Sequence, residues 1–383
     1  MKNNMTVNND INFNPVRFRH HLHRYPELSL QEHKTASEIT DQLLTFGFEP
    51  KTNIGGYGIL VEIKSGNPGP ITLLRADFDA LPITEKSQHD HVSRNHGCMH
   101  ACGHDGHVAS LLAVANQLSQ TPPQSGTVFL LFQPAEEIGV GAKKMLQDPR
   151  LKGIQPDAVY AYHNLPGYPL GTVVVKDGVF ACASTGVMIT LIGKTSHAAK
   201  PENGHSPAPA VARLMDYLHH MPEAFKEAFS LVTLVHVNVG NKGFGTSPGR
   251  AEVMATIRSS DNYILNYMKR NLLDFAQKQA DCYQLEMQIE WIEPFNATMN
   301  NPETTKNVIT AAQSLNYDVV IPTEPMRWSE DMGEFLQQWP GTLFCIGSGT
   351  DHPELHNPDY DFPDALIEQS SRLFLQLIAQ SHN

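Results

Sequence analysis

The sequence predicts an α/β protein of two domains, a larger α/β unit interrupted by a smaller inserted one of ferredoxin-like type. Length is the first reason: 383 residues exceed what one core usually serves. The second is an alternation of short apolar segments with helical patterns over the first half, as in a sheet covered on both faces. The third is a change of order near residue 180, where the pattern becomes β-α-β-β-α-β, the split ferredoxin-like unit. With 41% hydrophobic and 18% charged residues, a sizeable core is available and wholesale disorder is excluded.

Each element follows from local pattern. Residues 17–46 interleave Leu22, Leu28, Leu30, Ile39, Leu43 and Leu44 with charge and are broken by Pro26, which predicts a helix, a turn and a second helix. Strands are expected at 57–63 and 71–74, separated by a Gly, Pro, Asn and Ser turn. A helix at 106–118 ends before Pro122 and Pro123, a buried strand covers 127–132, a helix 141–146 and a strand 159–162. In the inserted unit we expect strand 187–192, helix 208–219, strands 231–239 and 251–257, helix 264–280 and strand 286–292. Helix 304–315, strand 342–346 and helix 363–379 close the chain. The domain boundaries are therefore 15–181 and 294–383 for the larger unit and 182–293 for the insertion.

Charge narrows the function. Lys and Arg number 28 against 40 Asp and Glu, a formal net charge of −12, which argues against nucleic acid or an anionic membrane as partner. No apolar run approaches the ~18 residues of a membrane span. Residues 1–14 read as a loose polar tail without the order of a secretory signal, so a cytoplasmic location is expected. The five Cys are odd in number and scattered, as suits a reducing compartment. The 19 His are the compositional oddity, because neutral imidazole is the commonest protein metal ligand.

Chemistry-bearing residues cluster. His100, Cys102, His104, Asp105 and His107 crowd into HACGHDGH just before a helix; Cys102 and His104, two apart on an extended segment, can face one point. Glu136 and Glu137 follow a buried strand, where α/β folds place their sites, and adjacent carboxylates that diverge suit one metal ligand and one proton carrier. His163 and Asn164 are expected after another strand, and His356 lies far downstream. Asp77, in LLRADFDALP with Arg75 and Asp79, can orient a ligand or form a structural ion pair. His197 opens a turn in the insertion. The segment His89, Asp90, His91 is unusual and receives no role.

Together HACGHDGH, LLRADFDALP, FQPAEE, YHNLPG, GKTSHAAKP, SEDM and LHNPDYDF, in this order from about Arg19 to Leu377, resemble the metal-dependent amidohydrolase family of aminoacylases, carboxypeptidases and dipeptidases. The branch they are most similar to contains hippurate hydrolases, N-acyl-amino-acid amidohydrolases and indole-acetyl-amino-acid hydrolases. The resemblance implies a di-metal catalytic domain with an inserted lid and dimerisation domain. It implies two divalent ions, Zn2+ first and Mn2+, Co2+ or Ni2+ as substitutes. Cys102 would bridge them, His104 and His163 completing one site, Glu137 and His356 the other. Glu136 would be the general base, Asp77 a support for a metal ligand, His197 an oxyanion donor from the lid and Arg258 a binder of the substrate carboxylate. The GTSP at 245–248 departs from the family pattern of Asn and an apolar pair before the Pro. The implied reaction is hydrolysis of small N-acyl amino acids by a metal-activated water in a homodimer joined through the lid. A dipeptidase or aminopeptidase on the same scaffold, and a catalytically silent metal-binding protein, are the alternatives.

Overall fold

A computed structural model describes residues 13–382, so nearly all of the expected polar tail at 1–14 lies outside the described residues. Helices α1 (Pro15–Arg24) and α2 (His33–Thr45) lead into strands β1 (Lys51–Ile54), β2 (Gly58–Lys64) and β3 (Ile71–Asp77). Then come α3 (His104–Gln120), β4 (Thr127–Gln133), α4 (Gly141–Gln147), β5 (Ala158–Pro166), β6 (Val173–Val174) and β7 (Gly178–Ala181). The insertion contains β8 (Ala183–Ile192), β9 (Ser196–His197), α5 (Ala208–His220), β10 (Ser230–Val239), β11 (Thr246–Ser247), β12 (Arg250–Ser259), α6 (Asn262–Cys282) and β13 (Glu286–Phe295). The chain closes with β14 (Thr298–Asn300), α7 (Pro302–Ser314), β15 (Val319–Val320), α8 (Met332–Leu336), β16 (Gly341–Gly349) and α9 (Ala365–His382).

The large sheet has eight strands in the order β1-β2-β4-β3-β5-β16-β6-β15. Its centre is parallel, β4 beside β3, β3 beside β5 and β5 beside β16, while β2 and β6 run antiparallel to their central neighbours. The central strands are buried along nearly their whole length, which is why they read as continuous apolar runs without alternation. On one face Leu112, Val108 and Ala115 of α3 pack with Phe374 and Leu377 of α9. On the other, Met145, Phe335 and Trp339 cover Leu131, Val159 and Leu343. Register sets Asp77 beside Gln133 and His163 beside Cys345, so the carboxyl ends of the parallel strands lie side by side.

The second sheet is antiparallel, in the order β10-β12-β8-β13, with the expected β-α-β-β-α-β connection. Ile189, Leu191, Val253 and Ile257 turn one face toward Leu214 of α5 and Met268, Leu272 and Ala276 of α6. β10 is an edge strand carrying exposed Leu234 and Val235. The element types follow the sequence reading, and the departures are instructive. α3 starts at His104, two residues earlier than expected, because Gly103 takes a left-handed φ of 91° and turns the chain sharply into the helix. β5 continues through Pro166, so His163 and Asn164 sit within the strand, where pairing with β16 outlasts the apolar run. Strands β1, β6, β7, β14 and β15 are too short to leave a pattern. Among the described residues no helix is long and apolar enough to cross a membrane.

Leu272 is fully buried between α6 and the small sheet. Leu272→Ala is expected to cost about 2–5 kcal/mol, read as a lowered urea midpoint by circular dichroism; an unchanged midpoint would mean that the helix layer is not packed on the sheet as described.

Candidate active site

The carboxyl ends of β3 and β4 bring buried charge together. Arg75, 1% exposed, points into this layer and all three of its nitrogens donate hydrogen bonds. Nε donates to Gln133 (2.8 Å), Nη1 to Asp77 (2.7 Å), and Nη2 to Glu330 (2.8 Å) and Asp331 (2.9 Å). Arg75 and Asp77 are two apart on one strand and therefore share a face. The other oxygen of Asp77 accepts from His107 Nδ1 at 2.5 Å, and His107 Nε2 donates to Asn164 Oδ1 at 2.6 Å. Burial opposes ionisation of Asp77, but His104, Arg75 and His107 hold its carboxyl well below the usual range.

Beside this layer lie donors of the kind that hold metal ions. The ligand atoms of Cys102, His104 and His163 lie within 4.8 Å of one another, and so do those of Cys102, Glu137 and His356. Cys102 belongs to both groups. Its Sγ is 3.3 Å from His163 Nε2, while His356 Nε2 is 3.6 Å from Glu137 Oε2 and His104 Nε2 is 3.8 Å from Glu137 Oε1. The two buried imidazoles are each held at the other nitrogen: His104 Nδ1, at the start of α3, donates to the Asp79 carbonyl (3.0 Å) and His163 Nδ1, within β5, to that of Asn164 (2.7 Å). That leaves both Nε2 atoms on the side of the thiol, within 4.8 Å of its sulfur. The turn at Gly103, and not an extended segment, makes Cys102 and His104 converge. A side chain there would meet Asn164 Oδ1 at 2.5 Å. Asp79, not Asp77, supports His104 at Nδ1, and its Oδ2 also accepts from the Glu137 amide (3.0 Å). Asp77 Oδ2 comes only within 3.7 Å of His104 Nε2.

The electrostatics demand added positive charge. Burial, followed by Glu137, Glu136 and Asp77, pushes the Cys102 thiol well above its ordinary range. Burial also lifts Glu137, to about 8 despite His104. His104 is opposed by burial, yet Asp77, Asp79 and Glu137 carry it up to about 10. His104 Nε2 and Glu137 Oε1 are buried without a hydrogen-bond partner. Orphaned atoms, a thiol and crowded carboxylates form a donor set that divalent ions fit, since a cation lowers the cost of every anion here. Glu136 faces the same space from a turn after β4, with Ala135 at a φ of 53°. Its Oε2 lies 4.0 Å from His104 Nε2 and its Oε1 accepts from the Asp331 amide at 3.4 Å. Burial, then Glu330 and Glu137, raises its carboxyl well above the usual range.

A cavity of about 590 Å3 opens onto these groups and is lined by Cys102, Glu136, Glu137, His163 and His356. Leu81, Ile138, Trp328 and Leu355 supply apolar wall, and the small sheet contributes Ser184, Arg258, Glu293 and Phe295. Arg258 Nη1 donates to Ser329 Oγ (3.1 Å) and the Arg327 carbonyl (3.3 Å), and the guanidinium forms no ion pair among the described residues. His197 is not brought to this cavity. It is exposed on β9, paired with Thr246 of the departing GTSP segment, and its Nδ1 accepts from the Ala199 amide at 3.0 Å. Sequence reasoning gave no role to Asp79, Glu330, Asp331 or Trp328. A carboxylate two residues beyond Asp77, and the acidic pair inside SEDM, were the available signals.

A model of peptidase family M20/M25/M40 matches residues 73–380. The chain belongs to this family. Membership, with amidohydrolases among its relatives, makes this M20 chain a hydrolase acting on amides. It is 32% identical to an N-acetyl-L-cysteine deacetylase of Bacillus subtilis over 93% of this chain and 85% of that protein. It is 30% identical to a hippurate hydrolase of Campylobacter jejuni over 94% of each. Among solved structures, a dinuclear metal-binding M20 peptidase from Bacillus subtilis superimposes with a TM-score of 0.79 at 28% identity, over 96% of this chain and 97% of that one.

Removing Arg75 leaves Asp77, Glu330 and Asp331 buried against one another. Arg75→Ala is expected to lose about 3–5 kcal/mol of stability in urea unfolding, and a loss below about 1 kcal/mol would show that these carboxylates are compensated elsewhere.

Proposed function

We propose that this M20 chain cleaves the amide bond of small N-acyl amino acids, with two divalent ions held by the Cys102 cluster. The observation that carries the reading is one cavity in which the donor cluster, the carboxyl of Glu136 and the unpaired Arg258 face a common space. Cys102, His104 and His163 would hold one ion, Cys102, Glu137 and His356 the other. The mixed thiolate, imidazole and carboxylate set suits Zn2+ first, with Mn2+, Co2+ or Ni2+ able to replace it. The dinuclear relative supports the count of two, and the deacetylase and hippurate hydrolase support the substrate class. When bound, the ions supply the positive charge that polarises a carbonyl and acidifies water.

The chain's own groups do the rest. Glu136 stands outside both donor groups and takes the proton of the attacking water on its carboxylate. It then returns that proton to the leaving amine nitrogen, a role that suits a carboxyl whose hold on a proton is strengthened by burial and by Glu330 and Glu137. Arg258 donates to the α-carboxylate of the amino acid, which fixes the amide with its acyl side against Leu81, Ile138 and Leu355. A free dipeptide offers the same carboxylate, so the apolar acyl wall is what favours acylated substrates. The exposed position of His197, away from its own cavity, is consistent with donation to the oxyanion from a second subunit's lid. Exposed Leu234 and Val235 on the edge strand β10 support a homodimer joined there.

Glu136→Gln is expected to lower turnover of acyl-amino acids by roughly two to four orders of magnitude while metal content, read by elemental analysis, stays unchanged. Near-normal turnover would transfer the proton to another group. Mixing inactive Glu136→Gln with inactive His197→Ala, under conditions where subunits exchange, is expected to restore part of the activity because one composite site is then intact. Verified exchange without recovery would confine His197 to its own chain or remove it from catalysis.

A further inference from the structure

A second concentration of metal-ligating side chains lies outside the cavity, between α1, the loop before α3 and the segment before α9. His23 Nε2 and His89 Nε2 stand 3.2 and 3.0 Å from Glu85 Oε1. Asp361 Oδ2 lies 3.9 Å from His89 Nε2, and the donor atoms of His23, His89 and Asp361 all fall within 4.8 Å of one another. Ligands bound at ~2.0–2.2 Å in tetrahedral geometry stand roughly 3.3–3.5 Å apart, so this spacing is close to that of a coordination shell.

We propose that His23, Glu85, His89 and Asp361 form a divalent-cation site separate from the Cys102 cluster, one for a borderline first-row transition ion such as Zn2+. Three observations carry it. His23 Nδ1 donates to Asp105 Oδ2 at 2.9 Å, the carboxylate-to-imidazole arrangement that fixes a ligating tautomer and leaves Nε2 facing Glu85. Both ring nitrogens of His89 are buried without a hydrogen bond, although Nε2 lies 3.0 Å from a carboxylate. Finally, the charge does not close. Asp105, Asp361 and Asp364 share a single guanidinium, Arg19, at 3.0, 2.8 and 2.5 Å, while Glu85 pairs with the imidazoles of His23 and His89. The remaining groups are imidazoles, and His20, His91 and His89 stack face to face with centroids 3.8 and 3.7 Å apart. Such stacking opposes charging all three; His23, outside the stack, is opposed by burial yet raised to about 9 by Asp105 and Glu85, so one proton is available there and a divalent ion would supply the rest of the charge. Without a thiolate the site is harder than the Cys102 cluster, and the ion would tie three separate segments together as a structural staple.

The test is metal counting. Chelator-stripped protein is reloaded with Zn2+, passed over a sizing column and analysed for bound metal. His89→Gln, at a side chain 20% exposed, is expected to bind one equivalent less than the wild type, Glu85→Gln likewise, and His219→Gln, at an exposed histidine of α5 in the insertion, the same amount as the wild type. The reading is a difference of one equivalent, so it does not depend on how full the Cys102 cluster is. Co2+ titration of the wild type gives a second readout that needs no variant. One equivalent is expected to add ligand-field absorption without a thiolate charge-transfer band. Equal metal content in wild type and the folded variants, or a wild-type titration in which every equivalent develops together with the thiolate band, would overturn the proposal and leave His23 bridging Asp105 and Glu85 as an ordinary proton carrier.

Discussion

The buried guanidinium of Arg75 is the interaction on which the chemistry of this protein depends. A parallel sheet presents the carboxyl ends of its strands to one rim, and here that rim carries Asp77, Asp79, Glu136, Glu137, Glu330 and Asp331, nearly all removed from water. In a medium of low dielectric such crowding is unfavourable unless some of the charge is answered. Arg75 answers part of it, because a planar fork reaches Gln133, Asp77, Glu330 and Asp331 at once where an ammonium would reach fewer. Glu136 and Glu137, which accept no hydrogen bond from Arg75, have carboxyls that burial and neighbouring carboxylates raise above their ordinary range. A structural compensation on one side thus leaves a chemical imbalance on the other.

That imbalance is held in place by backbone turns that ordinary strands and helices do not provide. Gly103, Ala135 and His356 all have positive φ, at 91°, 53° and 65°, and each brings a candidate ligand or proton carrier to the rim. Left-handed conformations at non-glycine residues carry strain, which the surrounding network offsets. The His356 amide donates to the Ala101 carbonyl at 2.8 Å and the Ala135 amide to Glu32 at 2.8 Å, so the strained residues are each fixed by a hydrogen bond to a segment distant in sequence. Asn164 plays a similar part, its Nδ2 donating to the Cys102 carbonyl and to Tyr360 while its oxygen accepts from His107.

The small sheet completes the cavity without adding to the donor cluster. Its helices cover one face, and residues near the ends of β8, β12 and β13 reach the large domain. A site assembled across two sheets can hold charged donors rigidly on one and substrate-binding groups on the other, so the two halves of recognition are set by different cores.

Much of this was legible in the sequence because it is local. Continuous apolar runs marked the central strands, a change of order marked the insertion, and Cys102, His104, Glu136, Glu137, His163 and His356 announced themselves by residue type and by placement after apolar segments. The grouping of these residues is a different matter. Cys102 and His356 are separated by more than two hundred positions, and their approach depends on the parallel register of β5 and β16 and on left-handed turns that no periodicity reveals. The partner of His104 proved to be Asp79, since strand alternation places Asp77 on the Arg75 side while the chain beyond β3 turns Asp79 toward the helix start. The histidines at 89 and 91, silent as a motif, acquire meaning only beside His23 from α1 and Asp361 from the far end of the chain. Sequence by itself determined which residues have chemistry to offer and which elements carry them, because both follow from side-chain type and short-range pattern. Tertiary structure alone decided which of them share a space, because burial and through-space charge depend on distance in the fold and not along the chain.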